Sequence, residues 1–437
     1  MKDVIVVGGG LGGLIVGAEL KRRGKDVLVL EATAEAAGVA ASVREDGYIL
    51  EPGAGSLLWP NDDLGPIFDS AGIEMLPAKA EAKARFVYER GTLYEIPESP
   101  AIAFSGLISW GAKFRAVREP FIKTPPPGEE ESIQGFFTRR FGQELGLLGA
   151  TLMSHGVFAG DPAKLSMRGA FPKMVALEDE AGSLIRGMLA RMKQREKGKP
   201  RASVHVPPRG MKGVAEDLVA YLGDSFKANQ EVGSVEQTDT GWSVVAEVEL
   251  EAKDVVLALA PHAAQKLVPA DVANLMVDAV VEPVAVVGIG GRAADVPIPA
   301  GFGALIGPNN DVRVLGILME SQYAPGRAPD LHHLAKGIYG GGADPEVLNR
   351  TDDELISLMI EETSRVIGTR VQPSWTRVVR HNPGIPQYNV GHVGWMRKLD
   401  AAIANYPGLH LTGWGYRGIG VSGMGTEAVR IGDQIGA

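Results

Sequence analysis

The first thirty-one residues constrain the fold more than any other stretch. Asp3-Val4-Ile5-Val6-Val7 is a short β-branched run bounded by glycine, the composition of a strand buried in a parallel sheet. Gly8, Gly10 and Gly13 follow in G-x-G-x-x-G spacing, and Leu14 to Arg23 reads as a helix with Leu14, Ile15, Ala18 and Leu20 on its apolar side. Gly24 ends it, and Val27-Leu28-Val29-Leu30 forms a second strand that closes on Glu31. Gly8 permits the tight turn, Gly10 lets the backbone approach a pyrophosphate, and Gly13 lets helix and strand pack closely. Leu11 and Gly12 complete a turn whose free amides lie at the positive end of the helix dipole. Glu31 is placed to accept hydrogen bonds from a ribose diol, and its charge disfavours a 2′-phosphate. Strand, glycines, helix, strand and acid in this register predict a Rossmann-like dinucleotide-binding unit.

At 437 residues the chain exceeds what one hydrophobic core usually holds, so two or three lobes are expected. Its 45% hydrophobic and 22% charged contents are those of a folded, water-exposed protein. A net charge of −9 argues against a general nucleic-acid binder. The lack of cysteine excludes disulfides, thiolate catalysis, iron–sulfur clusters and Cys-type zinc sites. The eight histidines show no H-x-x-x-H spacing, and His332-His333 reads as solvated surface, so no metal centre is expected. A strand starting at residue 3 leaves no room for a signal peptide, which makes the cytoplasm the expected compartment. The most apolar segment, Ala101 to Ala112, falls well short of the ~20 residues a spanning helix needs.

Beyond Glu31 come two more glycine-rich stretches. Ala37-Gly38-Val39 and Gly53-Ala54-Gly55-Ser56 follow the second strand. At the far end, strand Leu409–Thr412 leads into the glycine-dense Gly413 to Gly425 and a closing helix, Gly425 to Ile435. These segments resemble the turns that pass beside the flavin in flavoproteins with two dinucleotide-binding domains. Three separated glycine-rich segments converging on one ligand favour FAD over NAD.

Between them, Phe86–Tyr88 and Thr92–Ile96 predict a hairpin around Arg90-Gly91. Residues 99–199 read as mainly helical, interrupted by Thr124-Pro125-Pro126-Pro127-Gly128. Segment 102–121 sets Ile102, Phe104, Leu107, Ile108, Trp110, Phe114 and Phe121 beside Lys113, Arg115 and Arg118. That mixture suits a helix lying on a membrane surface or an internal helix with solvated charges. The basic run 191–201 reads as a solvated loop. A helix at 214–222 and strands at 231–235, 242–248 and 255–260 complete a discontinuous cofactor domain. Strands at 284–290, 304–306, 312–319, 337–339 and 375–381, with helix 352–367, suggest a second sheet. The expected division is 1–84, 203–268 and 393–437 for the FAD-binding domain, 85–202 for a helical membrane-associating lobe and 269–392 for an α+β substrate domain.

More specific stretches follow. Gly156-Val157-Phe158-Ala159-Gly160-Asp161-Pro162-Ala163-Lys164-Leu165-Ser166-Met167-Arg168, Ala170-Phe171-Pro172, Glu178 and Gly182-Ser183-Leu184-Ile185 resemble the helical lobe of protoporphyrinogen oxidases. So do Gly301-Phe302-Gly303-Ala304-Leu305 and Gly384-Ile385-Pro386-Gln387-Tyr388-Asn389-Val390-Gly391-His392. The likeness runs nearly end to end and is strongest to the oxygen-dependent bacterial forms. It implies FAD, a porphyrinogen losing six electrons in three flavin turnovers, O2 as acceptor giving H2O2, and a lobe that sits on membranes. A homodimer stays open. Carried over by resemblance, Phe302, Leu305 and Ile338 grip the tetrapyrrole, with no acid or base assigned. Ile419, Gly420 and Val421 contact the flavin, and Val232 contacts the adenine.

The chain departs from that pattern in places. Ala37-Gly38 stands where a glycine pair is usual, and Ser422-Gly423-Met424-Gly425 replaces an Asn-Asp or Pro-Asp step. Trp414 and Gly415 take the place of smaller or polar residues, and the propionate-pairing arginine of some members has no counterpart near 97–101. Coproporphyrinogen III oxidation, another flavin oxidase of amines or polyenes, and a flavin fold that has lost catalysis are the competing readings.

Overall fold

The strand Lys2–Val7 sends alternate side chains to opposite sides of a sheet: Val4 and Val6 join one buried cluster, Ile5 and Val7 another. The computed structural model describes residues 1–96, 106–124, 126, 128, 130–194 and 201–436. It divides the chain into two units, one of residues 1–78, 201–279 and 394–437, the other of residues 79–200 and 280–393. The predicted helical lobe and substrate domain therefore share one unit.

In the first unit, Phe226–Lys227, Val27–Leu30, Lys2–Val7 and Glu249–Leu257 lie side by side and parallel. Glu249–Leu257 serves two neighbours. Residues 249–252 pair antiparallel with Gly241–Val245, while 255–257 take Leu409–Leu411 in parallel. Helices Leu11–Arg22, Gly210–Leu222 and Val421–Gly436 contribute to the core on one face of this sheet. Each fully buried Leu or Ile there, such as Leu14 or Ile15, contributes about 1.5–3 kcal/mol. Trp242, Met276, Met396 and Tyr416 help fill the other face.

In the second unit, seven strands run in the order Trp375–Pro386, Val281–Arg292, His332–Gly340, Gly316–Leu318, Gly303–Ile306, Arg85–Glu89, Thr92–Ile96. All neighbours are antiparallel except Gly303–Ile306 with Arg85–Glu89. Helix Asp352–Ile367, started by a Thr351/Glu354 capping box, packs its Leu355, Met359 and Val366 on the core that holds Ala304, Ile306 and Tyr339.

Helices Ile133–Phe141, Gln143–Phe158, Pro172–Ala181 and Leu184–Gln194 belong to the same unit. The fully buried Arg140 ties this stretch together, meeting Glu119 at 3.1 Å and also the carboxylate of Glu178. A buried guanidinium is tolerable only with such partners.

Two expectations are corrected. Of segment 102–121, residues 102–105 lie outside the described residues, and the helix is only Trp110–Val117. Ser109 caps its start by accepting from the Ala112 amide. Pro120 disfavours continued helix at Glu119, and a 3-10 turn Glu119–Phe121 follows. The basic run at 191–201 is not a loop at its start, since Arg191 and Lys193 form the last turn of Leu184–Gln194. Cations there complement the helix dipole; residues 195–200 of the run lie outside the described residues.

Candidate cofactor cradle and substrate cavity

In the first unit, Gly8 has φ +108, a left-handed value that lets the chain turn directly from strand to helix. A Cβ on Gly13 would stand 1.9 Å from the Gly8 carbonyl oxygen, so this crossing requires glycine. A Cβ on Gly10 would meet nothing within 4 Å. The helix has no side-chain cap and no acid in its first turn. No side chain caps its N-terminal amides and no acid of its first turn would repel an anion, as a pyrophosphate needs.

Glu31 stands at the end of Val27–Leu30. It accepts from the Gly9 amide at 2.7 Å through one oxygen, and from the Thr33 amide and hydroxyl at 2.9 and 2.7 Å through the other. A carboxylate has about four lone-pair positions, and with three of them used about one remains for a ribose hydroxyl.

The other glycine-rich segments reach the same place. Ala37 donates its amide to the Gly9 carbonyl at 3.0 Å. Its φ of 94 is left-handed, a conformation that costs a non-glycine residue about 1 kcal/mol or more. This is the backbone reason a glycine is usual at this position. A Cβ on Gly38 would stand 3.4 Å from the Gly10 Cα, and one on Gly53 3.4 Å from the Val39 carbonyl. Gln230 donates to the Glu31 carbonyl at 2.8 Å, which brings the chain before Val232 alongside. A Cβ on Gly12 would stand 3.9 Å from the Met424 side chain of the C-terminal helix, which Val421 begins and Ile419 and Gly420 precede. The turn before it closes on itself: a Cβ on Gly423 would lie 2.1 Å from the Gly418 oxygen. Ala54, Gly55 and Ser56 follow Gly53 directly in the chain.

Glu51 was not singled out by sequence. It is buried, accepts from the Met211 amide at 3.1 Å and from the Ser42 hydroxyl at 2.7 Å, and so anchors the start of helix Gly210–Leu222. A carboxylate facing the run Glu51-Pro52-Gly53 into a helix N-terminus is the signal that spacing alone does not reveal.

The second unit holds a cavity of about 430 Å³. Strand alternation builds one wall, because Ala304, Ile306 and Tyr339 face the core while Leu305 and Ile338 line the cavity. Phe302, just before the strand, also lines it and packs against Tyr323 with ring centres 4.3 Å apart and planes tilted by 31°. The three substrate-wall residues named from sequence thus share one cavity. Leu148 and Leu152 of helix Gln143–Phe158 also line it. Among the described lining residues only Arg85 and His155 carry polar side chains. Neither was assigned to a site from the sequence.

Residues 11–423 match the family model of flavin containing amine oxidoreductases. The chain is 29% identical to the chloroplastic protoporphyrinogen oxidase of Oryza sativa subsp. japonica, covering 99% of this chain and 88% of that protein. It is 26% identical to the coproporphyrinogen III oxidase of Bacillus subtilis, covering 96% and 95%. A crystal structure from Exiguobacterium sp. 255-15 matches with a TM-score of 0.83 at 21% identity, covering 99% of this chain and 98% of that one, a likeness of fold. The open helix N-terminus, the acid at the end of the second strand and the converging glycine segments fit the FAD that such proteins carry. The chain belongs to the flavin-containing amine oxidoreductase family.

Proposed function

We propose that the chain is an FAD-dependent porphyrinogen oxidase of tetrapyrrole biosynthesis acting on protoporphyrinogen IX. The observation that carries this reading is the apolar cavity with its single cation, supported by the names of the two relatives above. Protoporphyrinogen presents two propionates and otherwise apolar edges. Coproporphyrinogen presents four propionates, and each carboxylate taken from water needs a donor or cation. The described lining supplies Arg85, which is exposed and so sits at the rim, where it can meet a propionate.

In this reading Gly8, Gly10, Leu11, Gly12 and Gly13 hold the pyrophosphate and Glu31 the ribose. Val39, Gly53, Ala54, Gly55, Ser56, Ile419, Gly420 and Val421 border the flavin, and Val232 the adenine. When bound, FAD supplies the hydride acceptor for the methylene carbons of the porphyrinogen. Phe302, Leu305 and Ile338 hold the macrocycle in a dry wall, which fixes its approach and excludes water. O2 is the final acceptor, giving H2O2. Relative turnover tests the substrate choice. Purified protein should favour protoporphyrinogen IX over coproporphyrinogen III by at least about tenfold in kcat/KM, one uncompensated carboxylate costing about 1.4 kcal/mol or more. A preference for the four-propionate substrate would move the assignment to coproporphyrinogen oxidation.

The unit also presents a surface suited to lipid. Trp110, Phe114, Val117 and Phe121 recur at helical spacing and are 72–80% exposed, beside Lys113, Arg115 and Arg118. Arg186 lies over the Phe121 ring, and Met188, Leu189 and Met192 are exposed on the same helix as Arg186. Such a patch on a water-exposed surface marks a docking face. No helix among the described residues is long and apolar enough to cross a membrane, so contact would be peripheral. Anionic vesicles should shift Trp110 emission to the blue. Phe114→Ser should weaken vesicle binding about thirtyfold, for about 2 kcal/mol of lost burial. Unchanged emission would show that this face does not meet lipid.

A further inference from the structure

The cavity wall carries two glycines that the backbone does not require. Gly156 lies inside helix Gln143–Phe158 and Gly316 begins strand Gly316–Leu318, paired on both sides, and neither has a left-handed φ. Glycine weakens a helix or a strand, so its use at these positions lies in packing. In register, Gly316 stands directly between Leu305 and Ile338, on the face of the sheet that lines the cavity. A Cβ on Gly316 would stand 3.2 Å from Leu305 Cδ2, and a Cβ on Gly156 would stand 3.3 Å from the same methyl. Leu305 is the only close contact in either case: the next atom from Gly316 is the Ala304 oxygen at an ordinary 3.4 Å, and from Gly156 the other Leu305 methyl at 3.5 Å. Two other glycines of the lining differ. A Cβ on Gly149 would meet the Phe137 ring at 3.2 Å, and one on Gly303 the Ile317 carbonyl oxygen at 2.6 Å, so these serve packing away from the cavity.

We infer that Gly156 and Gly316 set the width of the substrate cavity by seating the Leu305 methyl in a slot between helix and sheet, and so decide whether a tetrapyrrole macrocycle fits; the inference rests on the function proposed above. The two missing side chains, one on the helix and one on the sheet, leave the slot, and Leu305 Cδ2 fills it. A methyl group added from either side forces its neighbour to give way by a few tenths of an ångström. Sheet pairing holds the backbone of Gly316 and Leu305, and helix hydrogen bonds hold that of Gly156. The end of the Leu305 side chain is the part free to yield, by leaving its rotamer. It leaves the slot toward open space, and the open space on this face is the cavity. The wall then stands further in, against a ligand whose rigid ring system cannot fold to avoid it. Glycine at both positions therefore makes Leu305 a wall that lies back, at some cost to the helix and the strand that carry them.

The test compares wild type, Gly156→Ala, Gly316→Ala, Leu305→Val and the double variant Gly156→Ala/Leu305→Val, each loaded with flavin and checked by its flavin absorbance. Gly156→Ala and Gly316→Ala should each raise KM for protoporphyrinogen IX about tenfold with kcat changed less than about threefold, the scale of one added methyl in a close-packed wall. Binding of protoporphyrin IX, read by fluorescence quenching, should weaken in parallel, because steric fit does not depend on turnover. Alanine suits a helix better than glycine, so the denaturant midpoint of Gly156→Ala should equal or exceed that of wild type. Leu305→Val draws the methyls back and empties the slot. In that background Gly156→Ala should change KM by less than about threefold, since the group it crowds is gone. An unchanged KM in both alanine variants overturns the inference. So does an equal rise in KM with and without Leu305→Val, or a lowered midpoint in Gly156→Ala, which would mark a merely structural role. Wild type that binds flavin but turns over no porphyrinogen would defeat the functional reading, while the quenching series would still show whether the glycines set the width for a macrocycle.

Discussion

Gly13→Val should purify without flavin and with a stability lower by about 3 kcal/mol or more, the scale of forced overpacking between backbones. The side chain would have nowhere to go. Its Cβ would fall 1.9 Å from the Gly8 oxygen and 3.1 Å from the Ala258 side chain, so it separates helix Leu11–Arg22 from the end of strand Lys2–Val7. Gly10→Ala makes the contrast. Gly10 has φ −62, a value alanine adopts freely, and its Cβ would meet nothing within 4 Å. That protein should unfold within about 0.5 kcal/mol of wild type yet bind FAD poorly, because the new methyl projects where the pyrophosphate approaches. Denaturant unfolding and flavin absorbance read the two effects separately. Full flavin content in Gly10→Ala would mean that the phosphates lie elsewhere.

Phe302→Ala should keep its flavin and lose about thirtyfold in kcat/KM for protoporphyrinogen IX, the value of a ~2 kcal/mol anchor contact. Phe302 belongs to the second unit, lines the cavity, packs against the Tyr323 ring and lies under Arg85, whose guanidinium carbon is 5.8 Å from the ring centre. Truncation therefore removes an apolar wall and also loosens the cation proposed to meet a propionate. The cradle residues all lie in the other unit and are untouched. Flavin loss in this variant would show that Phe302 supports the cofactor instead of the substrate.

The cradle was legible in the sequence because its signals are local. A buried strand, three glycines at fixed spacing and an acid at the next strand's end lie within thirty-one residues, and each has one physical use. The cavity was legible only in part. Leu305 and Ile338 came from resemblance, and strand alternation accounts for their facing away from the core. Arg85 and His155 were not placed, because their positions depend on distant partners. Arg85 reaches the cavity because its strand pairs in parallel with Gly303–Ile306. His155 does so because its helix packs on that same strand. Boundaries failed for a similar reason. The expected strand at 284–290 extends to Val281–Arg292 because strands on both sides pair along nearly its whole length.

The most direct measurement is an absorption spectrum of the purified protein, followed by aerobic addition of protoporphyrinogen IX with porphyrin fluorescence recorded over time. Flavin bands, and a fluorescence rise proportional to protein concentration and well above the rate of spontaneous oxidation, are the predicted result. Flavin bands with no protein-dependent rise, on either protoporphyrinogen IX or coproporphyrinogen III, would contradict porphyrinogen oxidation as the function of this chain.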